Sequence, residues 1–394
     1  MGLDVRKICK PFVGAAVAGA LLGAWPLAAA AAPRTVPQGW LGVTATGPML
    51  SRATNLGREL DLMVLNGAEA VRVPFDWATM QPYATADEVP PAQRARFSDA
   101  GGVPSDFTLS DRYVAGAARR GLALLPVVTE APAWARIEPT DMASPPRDPA
   151  RYAAFVQTLA ERYGPRGEFW ARNPGLPHRP LRLWQLWNEA SVPERWRTRP
   201  FARSYVALLR AARAAIRRVD PGGRVVLGGL PNFSWRDLEA IYRAGGRGTF
   251  DLAAVHPYTR SVAGVIRIIE NNRRVMRRFG DRLKPTVVTE ISWPSSVGFL
   301  DFPGFPAVTE RAQAGRVNAA VSTLARERER LGIAGVFWYS WLSPDYGSPD
   351  TFDYSGLRRL RRGTPVAKPA LLAFRTVARR IEGCVKRASA TRCG

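Results

Sequence analysis

Two glutamates, Glu189 and Glu290, stand 101 residues apart, and each closes a short apolar run: L-R-L-W-Q-L-W-N-E in one case, T-V-V-T-E in the other. A strand interior holds an unpaired carboxylate badly, because removing the charge from water costs several kcal/mol. Each glutamate therefore has a structural partner or stands at the strand's exit for use. Two carboxylates facing each other across one opening suit glycoside hydrolysis: one protonates the departing sugar oxygen, the other attacks the anomeric carbon or activates water. Capping the next helix is the plainer role for a glutamate after a strand, but two at matching places make that coincidence harder to accept. Other polar residues occupy comparable positions: Arg72 within A-V-R-V-P-F, Asn188 beside Glu189, and His256 and Tyr258 in V-H-P-Y-T. A cation inside an apolar run needs a partner, and a catalytic carboxylate would be one. Of the twelve tryptophans, Trp134, Trp187, Trp293, Trp338 and Trp341 fall near the ends of such runs. There an indole face could stack on a sugar ring; Trp341 is the preferred platform, ahead of Trp293 and Trp134.

The elements that must position these residues are legible as eight short apolar runs bounded by Gly, Pro or Asp, at 40–45, 70–75, 122–129, 181–187, 224–230, 251–255, 286–289 and 334–341. Between them, apolar residues at three and four spacing predict helices, for instance over 152–163, 204–219, 262–279 and 310–331. No hairpin signal interrupts the alternation. Eight such repeats predict an α/β chain folded as a single-domain (β/α)8 barrel over residues 33–380. The separation of Glu189 and Glu290 then matches a fourth and a seventh strand at roughly a third of a hundred residues per unit. An open doubly wound sheet should carry a Gly-rich phosphate turn, and V-L-G-G-L-P-N lacks its spacing. Two long connections, 77–110 and 130–148, follow predicted strand ends on the face where barrels build their sites, so both are candidate cleft walls.

Residues 1–32 carry Arg6, Lys7 and Lys10 ahead of an apolar run with an Ala-rich end, the pattern of a secretory signal peptide; an uncleaved anchor is the alternative. The mature chain is expected to be secreted or held at the cell surface. Cys384 and Cys393 lie close together in the tail, 381–394, and would pair in an exported chain. With only two histidines in the chain, a metal hydrolase is disfavoured, and no metal or cofactor is expected. The formal net charge is +23, of which the leader's three basic residues and one acidic residue take only two. That charge is either solvated arginine on helix faces or an attraction to an acidic envelope polymer. It is dispersed and without a binding motif, so nucleic acid is not an expected partner.

W-N-E after the fourth strand, H-P-Y after the sixth, T-E ending the seventh and a tryptophan-bearing eighth together resemble the retaining glycoside hydrolases of clan A, which include families 5 and 39. The resemblance extends over V-R-V-P-F-D-W, L-P-V-V-T-E-A-P-A-W-A, F-D-Y-S-G-L-R-R and A-K-P-A-L-L-A-F, and so over most of residues 40–374. It implies Glu189 as general acid/base and Glu290 as nucleophile. It further implies Asn188 on the substrate's 2-hydroxyl, His256 and Tyr258 positioning nucleophile and substrate, and Arg72 supporting Glu290. Trp341 would be the sugar platform, with Trp338 its alternative. One departure stands out: some of these families have a histidine near the end of the third strand, where this chain has Thr129 and Glu130. The expected partner is a carbohydrate, and the expected state a monomer. A carbohydrate-binding barrel without turnover and a transglycosylase are the other readings.

Overall fold

The computed structural model describes residues 33–300, 307–344 and 346–383. The expected leader, residues 1–32, and the cysteines Cys384 and Cys393 lie outside the described residues. Eight strand–helix units follow one another. The strands are β1 (Leu41–Thr44), β2 (Ala70–Asp76), β3 (Ala123–Thr129), β4 (Leu183–Leu186), β5 (Arg224–Leu227, resumed at Leu230–Pro231), β6 (Ala253–His256), β7 (Thr286–Ile291) and β8 (Ile333–Trp338). The helices after them are α1 (Leu56–Leu65), α2 (Thr108–Arg120), α3 (Pro149–Tyr163), α4 (Phe201–Val219), α5 (Ser234–Arg243), α6 (Val262–Arg278), α7 (Glu310–Leu331) and α8 (Pro369–Glu382). All strand pairs are parallel, in the order β4–β3–β2–β1–β8–β7–β6. The interrupted β5 closes the ring, its first piece pairing with β4 and its second with β6. This is the (β/α)8 barrel that the alternation predicts.

The interruption in β5 has a local cause at Gly228 and Gly229. The Gly228 N–H donates to the Tyr205 hydroxyl of α4 at 2.7 Å, and that hydroxyl donates to the Leu186 carbonyl at 2.8 Å. A Cβ on Gly229 would lie 1.8 Å from His256 Nε2. Only glycine leaves room for that imidazole.

Two features depart from the expected plain alternation. A hairpin (Ser98–Ala100 with Val103–Ser105) stands in the long connection after β2. After β8, Leu342–Ser343, Arg358–Arg361 and Thr364–Ala367 form a separate three-stranded sheet. Its tight turn carries Arg362 and Gly363 at φ 51° and 76°, the doubly left-handed geometry of a two-residue hairpin. The eightfold repeat therefore does not account for the whole described chain, and the single-domain expectation omits this sheet. The eighth strand also ends earlier than expected, at Trp338 rather than Trp341. Among the described residues no helix is long and apolar enough to cross a membrane.

Gly229→Ala should cost about 1–3 kcal/mol, since a methyl group is forced against a buried ring. Urea unfolding read by circular dichroism checks this; an unchanged midpoint would mean that His256 is free to move aside.

Candidate active site

Arg72 lies at the middle of β2, side chain inward, 4% exposed. Its guanidinium donates to acceptors on β4, on the turn after β4 and on β7: Nε to Gln185 Oε1 at 2.7 Å, Nη2 to Asn188 Oδ1 at 2.8 Å and Nη1 to Glu290 Oε1 at 2.7 Å. Gln185 is itself held by donating to the Leu227 carbonyl at 3.1 Å. The cation that looked anomalous in an apolar run is thus fully engaged.

Glu290 reaches this point through an irregularity in β7. Between the pairs Val288↔Val336 and Ile291↔Trp338, β7 advances three residues while β8 advances two. One extra residue is accommodated as a bulge, which re-aims side chains. Thr289 and Glu290 consequently both turn inward, Glu290 to the opening and Thr289 behind it: the Thr289 hydroxyl is 3.0 Å from His256 Nε2, and Glu290 Oε2 accepts from the Tyr258 hydroxyl at 2.7 Å. His256 Nδ1 is 2.7 Å from Glu189 Oε1 and 3.6 Å from Glu290 Oε2. Glu189 itself adopts a left-handed backbone, φ 50°, immediately after β4.

The electrostatics differ sharply between members of this cluster. Burial alone would push the Glu290 carboxyl up, but the His256 ring, the Arg72 guanidinium and the Tyr258 hydroxyl together hold it below its ordinary value. Burial and the negative charges of Glu290 and Glu189 push the Tyr258 phenol well above its usual range, so it stays a proton donor. One atom each from Glu189, His256 and Glu290 lie within 4.8 Å of one another, a spacing that could also gather a metal ion. Both Glu290 oxygens are already bonded, however, and Arg72 supplies fixed positive charge at that point.

A cavity of about 550 Å³ opens over the cluster, lined by the expected Arg72, Asn188, Glu189, Tyr258 and Glu290. His256 stands behind its wall, fully buried. The tryptophans do not reach it. Trp341 and Trp338 are 0% exposed and Trp293 1%, so none offers a face to a ligand, contrary to the platform expected at the rim. Trp341 Nε1 donates to Glu59 Oε2 at 2.7 Å, and Arg358 pairs with the same carboxylate. Trp134 borders a different groove, its Nε1 on the Gln81 carbonyl. The early end of β8 explains the difference, because it turns Tyr339 into the cavity and Trp341 into the packing beyond it. Five aromatic residues border it; Phe75 and Tyr113 are as buried as the tryptophans, while Tyr339, Phe352 and, less so, Tyr258 keep some exposure.

Asp76, Gln185, Glu130, Thr289 and Tyr339 are the site's unanticipated members. Gln185 had a signal, a lone amide in L-W-Q-L-W. Tyr339 had none, since its orientation depends on where β8 stops.

No family model matches the sequence, and no curated protein matches it. Solved structures do share the fold. A family 39 glycoside hydrolase from the gut symbiont Bacteroides cellulosilyticus WH2 matches with a TM-score of 0.61 at 18% identity, over 88% of this chain and 64% of that one. A monomeric β-xylosidase from Caulobacter crescentus CB15 gives 0.60 at 15%, over 88% and 69%. A family 51 α-L-arabinofuranosidase from Bifidobacterium longum gives 0.58 at 12%, over 88% and 74%. The chain thus spans under two thirds of the length of the first. The clan A resemblance carried by the sequence motifs is met by a fold shared with family 39 glycoside hydrolases.

Arg72→Met should cost about 3–5 kcal/mol by stranding a buried carboxylate. In the Glu290→Gln background the same change should cost clearly less, because the stranded charge is gone. Denaturant unfolding of the two singles and the double at pH 7 measures the difference; strict additivity would show that the pair is not coupled.

Proposed function

We propose that the chain is a retaining β-glycoside hydrolase, with Glu290 as nucleophile and Glu189 as general acid/base. The observation that carries this reading is the pair of carboxylates with oxygens within 4.8 Å of each other in contrasting surroundings. Only the nearest oxygens of the two groups are that close, and it is the clan A resemblance of the motifs that selects retention over inversion.

The steps follow from the contacts. Glu290, kept ionised by His256, Arg72 and Tyr258, attacks the anomeric carbon of the bound sugar. Glu189 gives its proton to the departing oxygen; His256 holds it by Oε1 alone, which leaves Oε2 for the transfer. Once the glycosyl–enzyme ester has formed, Glu189 takes a proton from water, and that water releases the sugar with retained configuration. Asn188 spends its carbonyl oxygen on Arg72 and keeps its amide N–H groups for the 2-hydroxyl. Tyr339 and Phe352 would serve as the aromatic walls in place of the buried tryptophans. The leader-like segment at 1–32 supports action outside the cytoplasm.

Hydrolysis of a panel of aryl β-glycosides and β-linked polysaccharides by residues 33–394 tests the reading. Glu189→Gln should lose about 10²–10⁴-fold in rate, and Glu290→Gln should be at least as impaired. A wild type that binds a glycan but cleaves nothing would instead support a carbohydrate-binding barrel.

A pH profile gives a second check. Glu290 must be ionised to attack and its folded pKa is depressed, so kcat/KM should persist below the ordinary carboxylate value of about 4.3. It should be lost only as pH falls through the lowered pKa. Tyr258→Phe removes one donor and should move that acid limb upward; a limb that stays in place would remove Tyr258 from the account.

A further inference from the structure

Four more carboxylates line the same cavity, and three of them are used by the protein itself. Asp106 pairs with Arg96 and accepts the Thr108 N–H, Asp350 accepts the Phe352 N–H, and Asp76 accepts the Thr79 N–H. Glu130 is different. Its carboxylate makes no hydrogen bond to any described residue, and the nearest cation, Arg195 Nη1, is 4.0 Å away and half-exposed. An ion pair at that distance and exposure contributes little.

The backbone treats Glu130 as it treats Glu189. Glu130 follows the last residue of β3 at φ 60°, as Glu189 stands just beyond β4 at φ 50°. This left-handed region is unfavourable for a residue with a Cβ, and such strain gathers at functional sites. In both places it delivers a carboxylate from a strand end into the one cavity. Thr129, the residue before Glu130, pairs with Asp76 of β2, so two carboxylates share this wall. Burial, then the charge of Asp76, push the Glu130 carboxyl up from its ordinary value. A carboxylate kept partly dry, beside a like charge and with no donor from the protein, is held in a state that bound hydroxyl groups would relieve.

We infer that Glu130 is a specificity-determining residue whose carboxylate, with Asp76 beside it, accepts the hydroxyl hydrogens of a bound sugar. This subsite therefore takes a neutral, hydroxyl-bearing ring and rejects one with an anionic substituent at that position. The inference rests on the glycosidase reading above. It concerns which ring is accepted, whereas Glu189 and Glu290 concern whether any bond is cleaved.

The test uses the best-cleaved aryl β-glycoside, its monodeoxy analogues and its uronide, with wild type, Glu130→Ala and Glu130→Gln. One deoxy analogue should lose about 10- to 100-fold in wild-type kcat/KM, the scale of a hydrogen bond to a charged group. Glu130→Ala should lose about as much on the parent sugar and nothing further on that analogue, since the two changes delete one contact. The uronide should gain relative to the parent in both variants. Glu130→Gln should melt no lower than wild type, because it removes a repulsive charge that the fold does not use. The inference is overturned if Glu130→Ala cleaves the parent as well as wild type, if the losses simply add for every analogue, or if Glu130→Gln lowers the melting temperature. A wild type inactive on every glycoside is a separate outcome, which removes the glycosidase reading and this one with it.

Discussion

The Arg72 guanidinium is the constraint from which the site is built. A buried cation is tolerated only where its N–H groups are matched, and here Gln185, Glu290 and Asn188 match them from β4, β7 and the turn after β4. Those residues lie 113 to 218 positions away in the chain. Two of these bonds fix side chains that face the cavity, Glu290 and Asn188, so the requirement to satisfy one charge also sets the geometry of the reacting groups. It contributes to the ionisation of Glu290 as well, acting with His256 and Tyr258 against a desolvation that alone would favour the neutral acid.

A barrel of regular strands would not deliver these groups by itself. Strict alternation sends Thr289 and Glu290 to opposite faces, and the bulge in β7 is what lets both turn inward. The left-handed residues after β3 and β4 do the same at their strand ends. Gly229 in β5 makes space for the imidazole that links Glu189 to Thr289. Regular structure supplies the frame, and local departures from regularity aim the chemistry.

The carboxylates show how environment separates residues of one type. Glu290 is deep and surrounded by donors, which favours its charged form. Glu189 is more open and is held through one oxygen only. Glu130 has no hydrogen-bond donor among the described residues, and Glu59 is consumed by Arg358 and Trp341 in the packing between α1 and the sheet beyond β8. Composition alone would count four equivalent acids.

Much was determined by the sequence. Apolar runs with alternating helices specified the eight units, because burying one face of each element imposes a period that can be read locally. The strand-end positions of Asn188, Glu189, His256, Tyr258 and Glu290 also followed, since a polar residue closing an apolar run has few other places to go, as did the place of Arg72 within β2. The two hairpins were present in the sequence as Gly101–Gly102 and Arg362–Gly363 but were obscured by the stronger repeat. What tertiary structure decided was orientation. Trp341 and Tyr339 are two residues apart in W-Y-S-W, and only the point at which β8 stops pairing determines that the tyrosine faces the cavity while the tryptophan is buried against Glu59. Glu130 likewise becomes a cavity residue through a φ of 60° that no neighbouring residue announces. Periodicity is a local property and survives in the sequence; the direction of a side chain at a strand end depends on partners more than a hundred residues away.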